Sequence, residues 1–245
     1  MDRGEGNRIP GPGTGRTTIF LLAVAALAAA TSPLRAADGQ PDLAFHAGGA
    51  YEIAWDVGGN LYDYAQDVAA DASGNLFVVG YVTAAGGDFD WGVAQIDVQG
   101  VVHPSRLVFN VGGTDNDEAN GVVLDAAGRA VVAGTVDTAT SRDIRICRFL
   151  AGTVVLDSSF GAGGCGAFAV GSGSYATVRR VARAGDGGFI VGGTITQPGP
   201  NNNFFAVKFD SAGAVDSNFG FFGIRVVPWD FQTNGSDVVN DMAVD

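Results

Sequence analysis

Three stretches of this chain repeat one another, and that repetition constrains the fold more than any other feature. Asp71-Ala-Ser-Gly-Asn-Leu-Phe-Val-Val-Gly80 returns as Asp125-Ala-Ala-Gly-Arg-Ala-Val-Val-Ala-Gly134 and again as Ala184-Gly-Asp-Gly-Gly-Phe-Ile-Val-Gly-Gly193. The matched glycines Gly74, Gly128 and Gly187 are 54 and 59 residues apart. Each copy reads as a turn followed by a strand: Asp accepts backbone hydrogen bonds in the turn, Gly supplies a positive φ, and a short apolar run follows.

Two further pieces recur in the same order. Gly92-Val-Ala-Gln-Ile-Asp97, Ile146-Cys-Arg-Phe149 and Phe205-Ala-Val-Lys-Phe-Asp210 align as a third strand. Ala94, Cys147 and Val207 then share a face with Ile96, Phe149 and Phe209, while Gln95, Arg148 and Lys208 point the other way. Asp42-Leu-Ala-Phe-His-Ala-Gly-Gly49, Asp157-Ser-Ser-Phe-Gly-Ala-Gly-Gly164 and Asp216-Ser-Asn-Phe-Gly-Phe-Phe-Gly223 form a third set. Its missing middle copy falls near residues 103–109. Phe109-Asn-Val-Gly-Gly-Thr-Asp-Asn-Asp117 in turn matches Trp55-Asp-Val-Gly-Gly-Asn-Leu-Tyr-Asp63. Strands are expected over 65–70, 75–83, 90–97 and 101–109, then near 119–124, 129–136, 176–182 and 188–195. Gly235–Asp245 matches the strand leading into Asp71 and Asp125, so a last strand is expected over 236–244.

Composition agrees with an all-β chain. Of 245 residues 38 are Gly, only 16% are charged, and Lys occurs once, at Lys208. Helices want few glycines and exposed faces rich in Lys and Glu. The net charge is −12. Such acidity repels phosphate backbones and anionic lipid, which argues against nucleic-acid and membrane-surface roles.

The N-terminus carries Arg3, Arg8 and Arg16 before the apolar run from Ile19 to Ala30, then the small residues of Thr31–Ala37. The run has the length of a signal-peptide core and is short for a bilayer span. Residues 1–36 are expected to be a signal peptide and 37–245 the repeat domain, placing the mature protein in the periplasm, at the cell surface or outside the cell. Removing residues 1–36 leaves 10 basic against 24 acidic residues.

The repeated pieces resemble the delta-60 repeat family of bacterial β-propellers, whose units carry a Leu-Asp-x-x-Phe-Gly-x-Gly-Gly tag, an Asp-x-x-Gly-x-Ile-x-Val-x-Gly piece and an Ala-Val-x-Arg-Tyr-like strand. Leu156–Gly164 is the nearest match to the tag. Gly112–Glu118 is also similar to the seven-bladed propeller repeats of bacterial surface proteins. The resemblance covers roughly residues 40–245 and implies a partial β-propeller of about three four-stranded blades plus one extra strand. Four to eight blades close such a ring, so the chain reads as a fragment or a truncated gene, with open blade edges available for self-association. Fold resemblance of this kind does not carry a function.

Residues that could carry chemistry have plainer readings beside them. Gly161-Ala-Gly-Gly-Cys-Gly166 matches a dinucleotide fingerprint by letter, but no helix pattern follows it. Asp115, Asp117 and Glu118 are the densest acidic group; they lack EF-hand spacing and read as a solvated loop tip. His46 and His103 are isolated and read as loop residues, too few for a zinc site. Trp55, Trp91 and Trp229 with Tyr51, Tyr62, Tyr64 and Tyr81 read as strand packing. Asn234-Gly-Ser236 reads as a turn. Cys147 fills a slot held elsewhere by Ala and Val and reads as a small buried hydrophobe; a bridge to Cys165 is the alternative. No catalytic residue, metal site or cofactor is assigned, and the binding residues are unknown. The expectation is a non-catalytic module that binds an unknown protein or glycan, or serves a structural role; the alternative is an extracellular propeller glycosidase or lyase.

Overall fold

The computed structural model describes Phe45, residues 49–53, Trp55, and residues 62–112, 115–198, 202–228 and 237–244. Among these residues there are twelve strands and no helix. The expected signal peptide lies outside them. No helix of the described residues is long and apolar enough to cross a membrane.

The strands fall into three units. The first is β1 (Asp63–Ala70), β2 (Leu76–Thr83), β3 (Phe89–Ile96) and β4 (Val102–Phe109). The second is β5 (Asp117–Leu124), β6 (Ala130–Asp137), β7 (Arg142–Arg148) and β8 (Cys165–Phe168). The third is β9 (Tyr175–Arg183), β10 (Phe189–Thr196), β11 (Asn202–Phe209) and β12 (Ile224–Val227). Each unit is an antiparallel meander in chain order. A single parallel bridge, Arg142 to Tyr175, joins the second and third units into one eight-stranded sheet. The eight strands expected by range between residues 65 and 195 lie within two residues of these bounds.

The turns explain the regularity. Asp71 Oδ1 accepts the Ser73 and Asn75 amides, and Asp125 Oδ1 accepts those of Ala127 and Arg129. Asp97 and Asp210 do the same in the β3–β4 and β11–β12 turns. One Asp-x-x-Gly device therefore closes the β1–β2 and β3–β4 turns of the first unit and recurs once in each of the others, with Gly74 and Gly128 at φ of 87° and 72°.

Period two then gives each sheet two apolar faces, and the units stack through them. Phe77, Val79, Trp91 and Val93 of the first unit pack against Val122, Val132, Cys147 and Phe149 of the second. On the opposite face of the second unit, Val131, Ala133, Ile144 and Ile146 pack against Val178, Phe189, Val191 and Val207 of the third. The outer face of the first unit, with Val78, Val82 and Ile96, is covered by Phe45, Ile53 and Trp55. Each fully buried aliphatic or aromatic side chain contributes about 1.5–3 kcal/mol, and Trp91 is 0% exposed. The first strands β1, β5 and β9 touch in succession, β5 lying between the other two.

The Asp157 tag clamps the second unit to the third. Asp157 Oδ2 holds Arg148 at 2.9 Å and Arg129 at 3.1 Å. Arg148 lies over the Phe160 ring at 4.5 Å and donates to the Ser211 carbonyl of the β11–β12 turn. Gly161 donates to the Ala212 carbonyl of the same turn.

Three expectations are corrected. Cys147 is fully buried as expected, yet it is bonded to Cys165, which faces it directly across β7 and β8 with Cα atoms 4.1 Å apart. The residues of 237–244 are not a strand; Asp237 donates to the Asn202 carbonyl and Val239 to Thr194 Oγ1, so the segment lies across the third unit without a ladder. The open end expected to carry Phe204, Phe205, Phe221 and Phe222 does expose Phe221 and Phe222, at 75% and 71%, but Phe205 is buried toward the second unit.

Candidate binding site at the convergence of the first strands

The first strand of every unit carries the same irregularity. In β1 the pairing with β2 steps from Ala65–Gly80 to Asp67–Val79, leaving Gln66 unpaired. In β5 it steps from Ala119–Gly134 to Gly121–Ala133, leaving Asn120. In β9 it steps from Val178–Gly193 to Arg180–Gly192, leaving Arg179. A bulge re-aims the extra residue and deepens the local twist.

A strand glycine beside each bulge makes it possible. A Cβ on Gly80 would strike the Tyr64 carbonyl oxygen, one on Gly134 that of Glu118, and one on Gly193 that of Thr177. Only glycine lets the bulged backbone come this close.

The three bulged residues share one open cavity of about 240 Å³, which Asn240 and Asp241 of the last segment also line. Its wall is polar: Gln66, Asn120, Arg179, Arg180, Asn240 and Asp241, with Val178 the one apolar residue. Arg180 donates to Asp67 at 2.9 Å and to Asp241 at 2.8 Å, and the other oxygen of Asp67 accepts the Val122 amide. The Asp67 charge raises the Arg180 pKa, and the Met242 amide and Arg180 lower that of Asp241. This bridge ties the first unit, the third unit and the last segment together around the cavity. Asn120 is only 9% exposed, and its Oδ1 is buried without a hydrogen-bond partner. Arg179 is exposed and forms no ion pair among the described residues.

The acidic group expected at a loop tip divides instead. Asp115 is exposed, but Asp117 opens β5 and is 0% exposed. Its Oδ2 accepts the Val111 amide at 3.1 Å, while its Oδ1, like Asp90 Oδ1, is buried without a partner. Burial pushes the Asp117 pKa up to about 7 and raises that of Asp90. Strand pairing with Val136 carries the residue inward, which a turn-like composition hides. Among the described residues no group of three metal-ligating side chains comes together.

The other candidates fall in scattered places. Gly161–Gly166 runs through a turn into β8 rather than into a helix. Trp55 and Trp91 are buried, and Tyr81 stacks between Tyr64 and Phe89. Tyr62 is exposed and so is less than a packing residue. His46, Trp229 and Asn234–Ser236 lie outside the described residues, as does the side chain of His103, whose backbone is in β4.

Turn motifs and period-two alternation do not single out the cavity residues, although the sequence carries a signal for them. Gln66-Asp67, Asn120-Gly121, Arg179-Arg180 and Asn240-Asp241 occupy one repeat position, each beginning with a polar residue; the first three lie in strands and the fourth in the last segment. Comparison with protein-family models and with curated proteins finds no match to this chain.

Proposed function

We propose that this chain is a secreted or cell-surface β-propeller module of the delta-60 kind, with a non-catalytic binding role centred where its first strands converge. Meanders stacked face to face, with their first strands innermost, support the propeller reading. One observation carries the binding reading: the same bulge, beside the same strand glycine, delivers Gln66, Asn120 and Arg179 from three units to one cavity. Ligand sites in ring-like β folds gather at such mouths, where a few polar groups converge. The rival reading, an extracellular glycosidase or lyase, needs free acid and base groups. Here Asp241 and Asp67 are both engaged by Arg180.

The test uses the chain on a printed panel of glycans beside its Gln66→Ala/Asn120→Ala/Arg179→Ala variant, with reducing-end release measured on the same glycans. Retention by the parent, loss in the variant and no release are expected. Equal retention by both proteins would remove the site, and glycan cleavage by the parent would establish the enzyme reading instead.

A further inference from the structure

We infer that the cavity between the bulges is a subsite for one uncharged, polyhydroxylated ring, the terminal sugar of a glycan; this rests on the binding-module reading above. Its size is the first argument. About 240 Å³ lies just below the ~300–1,000 Å³ of drug-sized ligand pockets, room for a single sugar-sized ring and too little for a chain of them.

The chemistry of the wall is the second argument. Gln66, Asn120 and Asn240 present amides, Arg179 a guanidinium and Asp241 a carboxylate. These planar groups each offer two donor or acceptor positions side by side, which matches neighbouring hydroxyls, since a hydroxyl both donates and accepts. An apolar ligand would leave such groups desolvated without partners.

Charge balance is the third. Asp241 in the wall and Asp67 behind it both pair with Arg180, and with Arg179, which forms no ion pair among the described residues, the four charges sum to zero. The whole chain, at −12, repels anions further.

The fourth is Asn120. Its amide oxygen is buried without a hydrogen-bond donor. A turn of that amide about its last torsion would bring the oxygen toward the cavity that Asn120 lines. An unsatisfied buried acceptor beside a cavity is the kind of group whose cost a ligand hydroxyl removes.

The experiment is calorimetric titration of the full chain with D-glucose, D-galactose and D-mannose, and separately with D-glucuronate and with inorganic phosphate. At least one neutral hexose should saturate the site, with affinity insensitive to salt. Asn120→Ala should weaken it at least tenfold without lowering the thermal midpoint, because truncation removes a buried acceptor that has no partner in the free protein. Gln66→Ala, at an exposed position, provides a second variant should the first fail to fold, with a loss of the same sign. Binding of glucuronate or phosphate without any neutral hexose would overturn the neutral-ring assignment and leave the binding module standing. Absence of saturation by every probe, with glycan-panel retention still dependent on Asn120, would overturn it as well.

Discussion

Gly192 and Gly193 are neighbours in β10, and replacing each by Ala separates the effect of the bulge from that of strand packing. A Cβ on Gly193 meets the Thr177 carbonyl of β9 and comes within 3.0 Å of the Phe205 ring. Backbone cannot swing aside as a side chain does, so the β9 bulge must open or the sheet must shift. Overpacking of this kind costs about 1–3 kcal/mol or more, offset by the ~0.5–1 kcal/mol gained when Gly gives way to Ala in a strand. A contact with main chain belongs at the upper end, so Gly193→Ala should lose about 2 kcal/mol. A Cβ on Gly192 crowds the far end of Met242, at 2.7 Å from its sulfur, and meets the Phe205 carbonyl at an ordinary 3.6 Å. Met has three rotatable bonds and moves cheaply, so Gly192→Ala should stay within about 0.5 kcal/mol of the parent. Urea unfolding measures the difference, and for a chain of this size 1 kcal/mol moves the melting temperature by about 2–4 °C. Equal stability of the two variants would refute the argument that the glycine beside each bulge is what permits it.

Three other perturbations follow from particular residues. Cys147 and Cys165 close a loop of separation 18; by chain entropy their bridge contributes about 3 kcal/mol, so Cys147→Val/Cys165→Ala should lower the urea midpoint accordingly, and reductant should shift the parent but not the variant. Asp117 has a folded pKa of about 7 against an ordinary value of 3.8; between these the folded state holds a proton that the unfolded state has released, so stability falls as pH rises through that window by up to ~1.4 kcal/mol per pH unit. Urea midpoints of Asp117→Asn should show that slope flattened and greater stability at pH 8 than the parent. Phe222 has φ of 53° where the second unit has Gly163 at 65°, and its ring is exposed; Phe222→Gly should raise stability by about 1 kcal/mol by relieving left-handed strain, and thermal unfolding would contradict this if the variant melted lower.

The repeats made the strands legible because turn chemistry and period-two alternation act locally. Asp71, Gly74, Asp125 and Gly128 mark hairpins whatever the rest of the chain does. The disulfide was not legible in the same way. Cys147 does fill the slot of Ala94 and Val207, but whether Cys165 stands opposite it depends on the register of β7 against β8, set through the loop at 149–164. Asp117 was hidden for a related reason: Gly112–Glu118 has the composition of a loop, yet β5 begins inside it.

The cavity depends on a feature that breaks the alternation used to find the strands. One inserted residue moves every following side chain to the other face unless the ladder absorbs it. Gln66, Asn120 and Arg179 are those absorbed residues, so a period-two reading counts them as ordinary outward positions. Gly80, Gly134 and Gly193 record the same fact from the neighbouring strand, since a glycine inside an apolar strand weakens it unless close backbone approach requires it. A polar residue in one strand and a glycine in the next, recurring at fixed repeat positions, therefore point to the bulge jointly where neither does alone. That the bulged residue is Gln, Asn or Arg, and never apolar, is what supports the proposed binding role over a packing one.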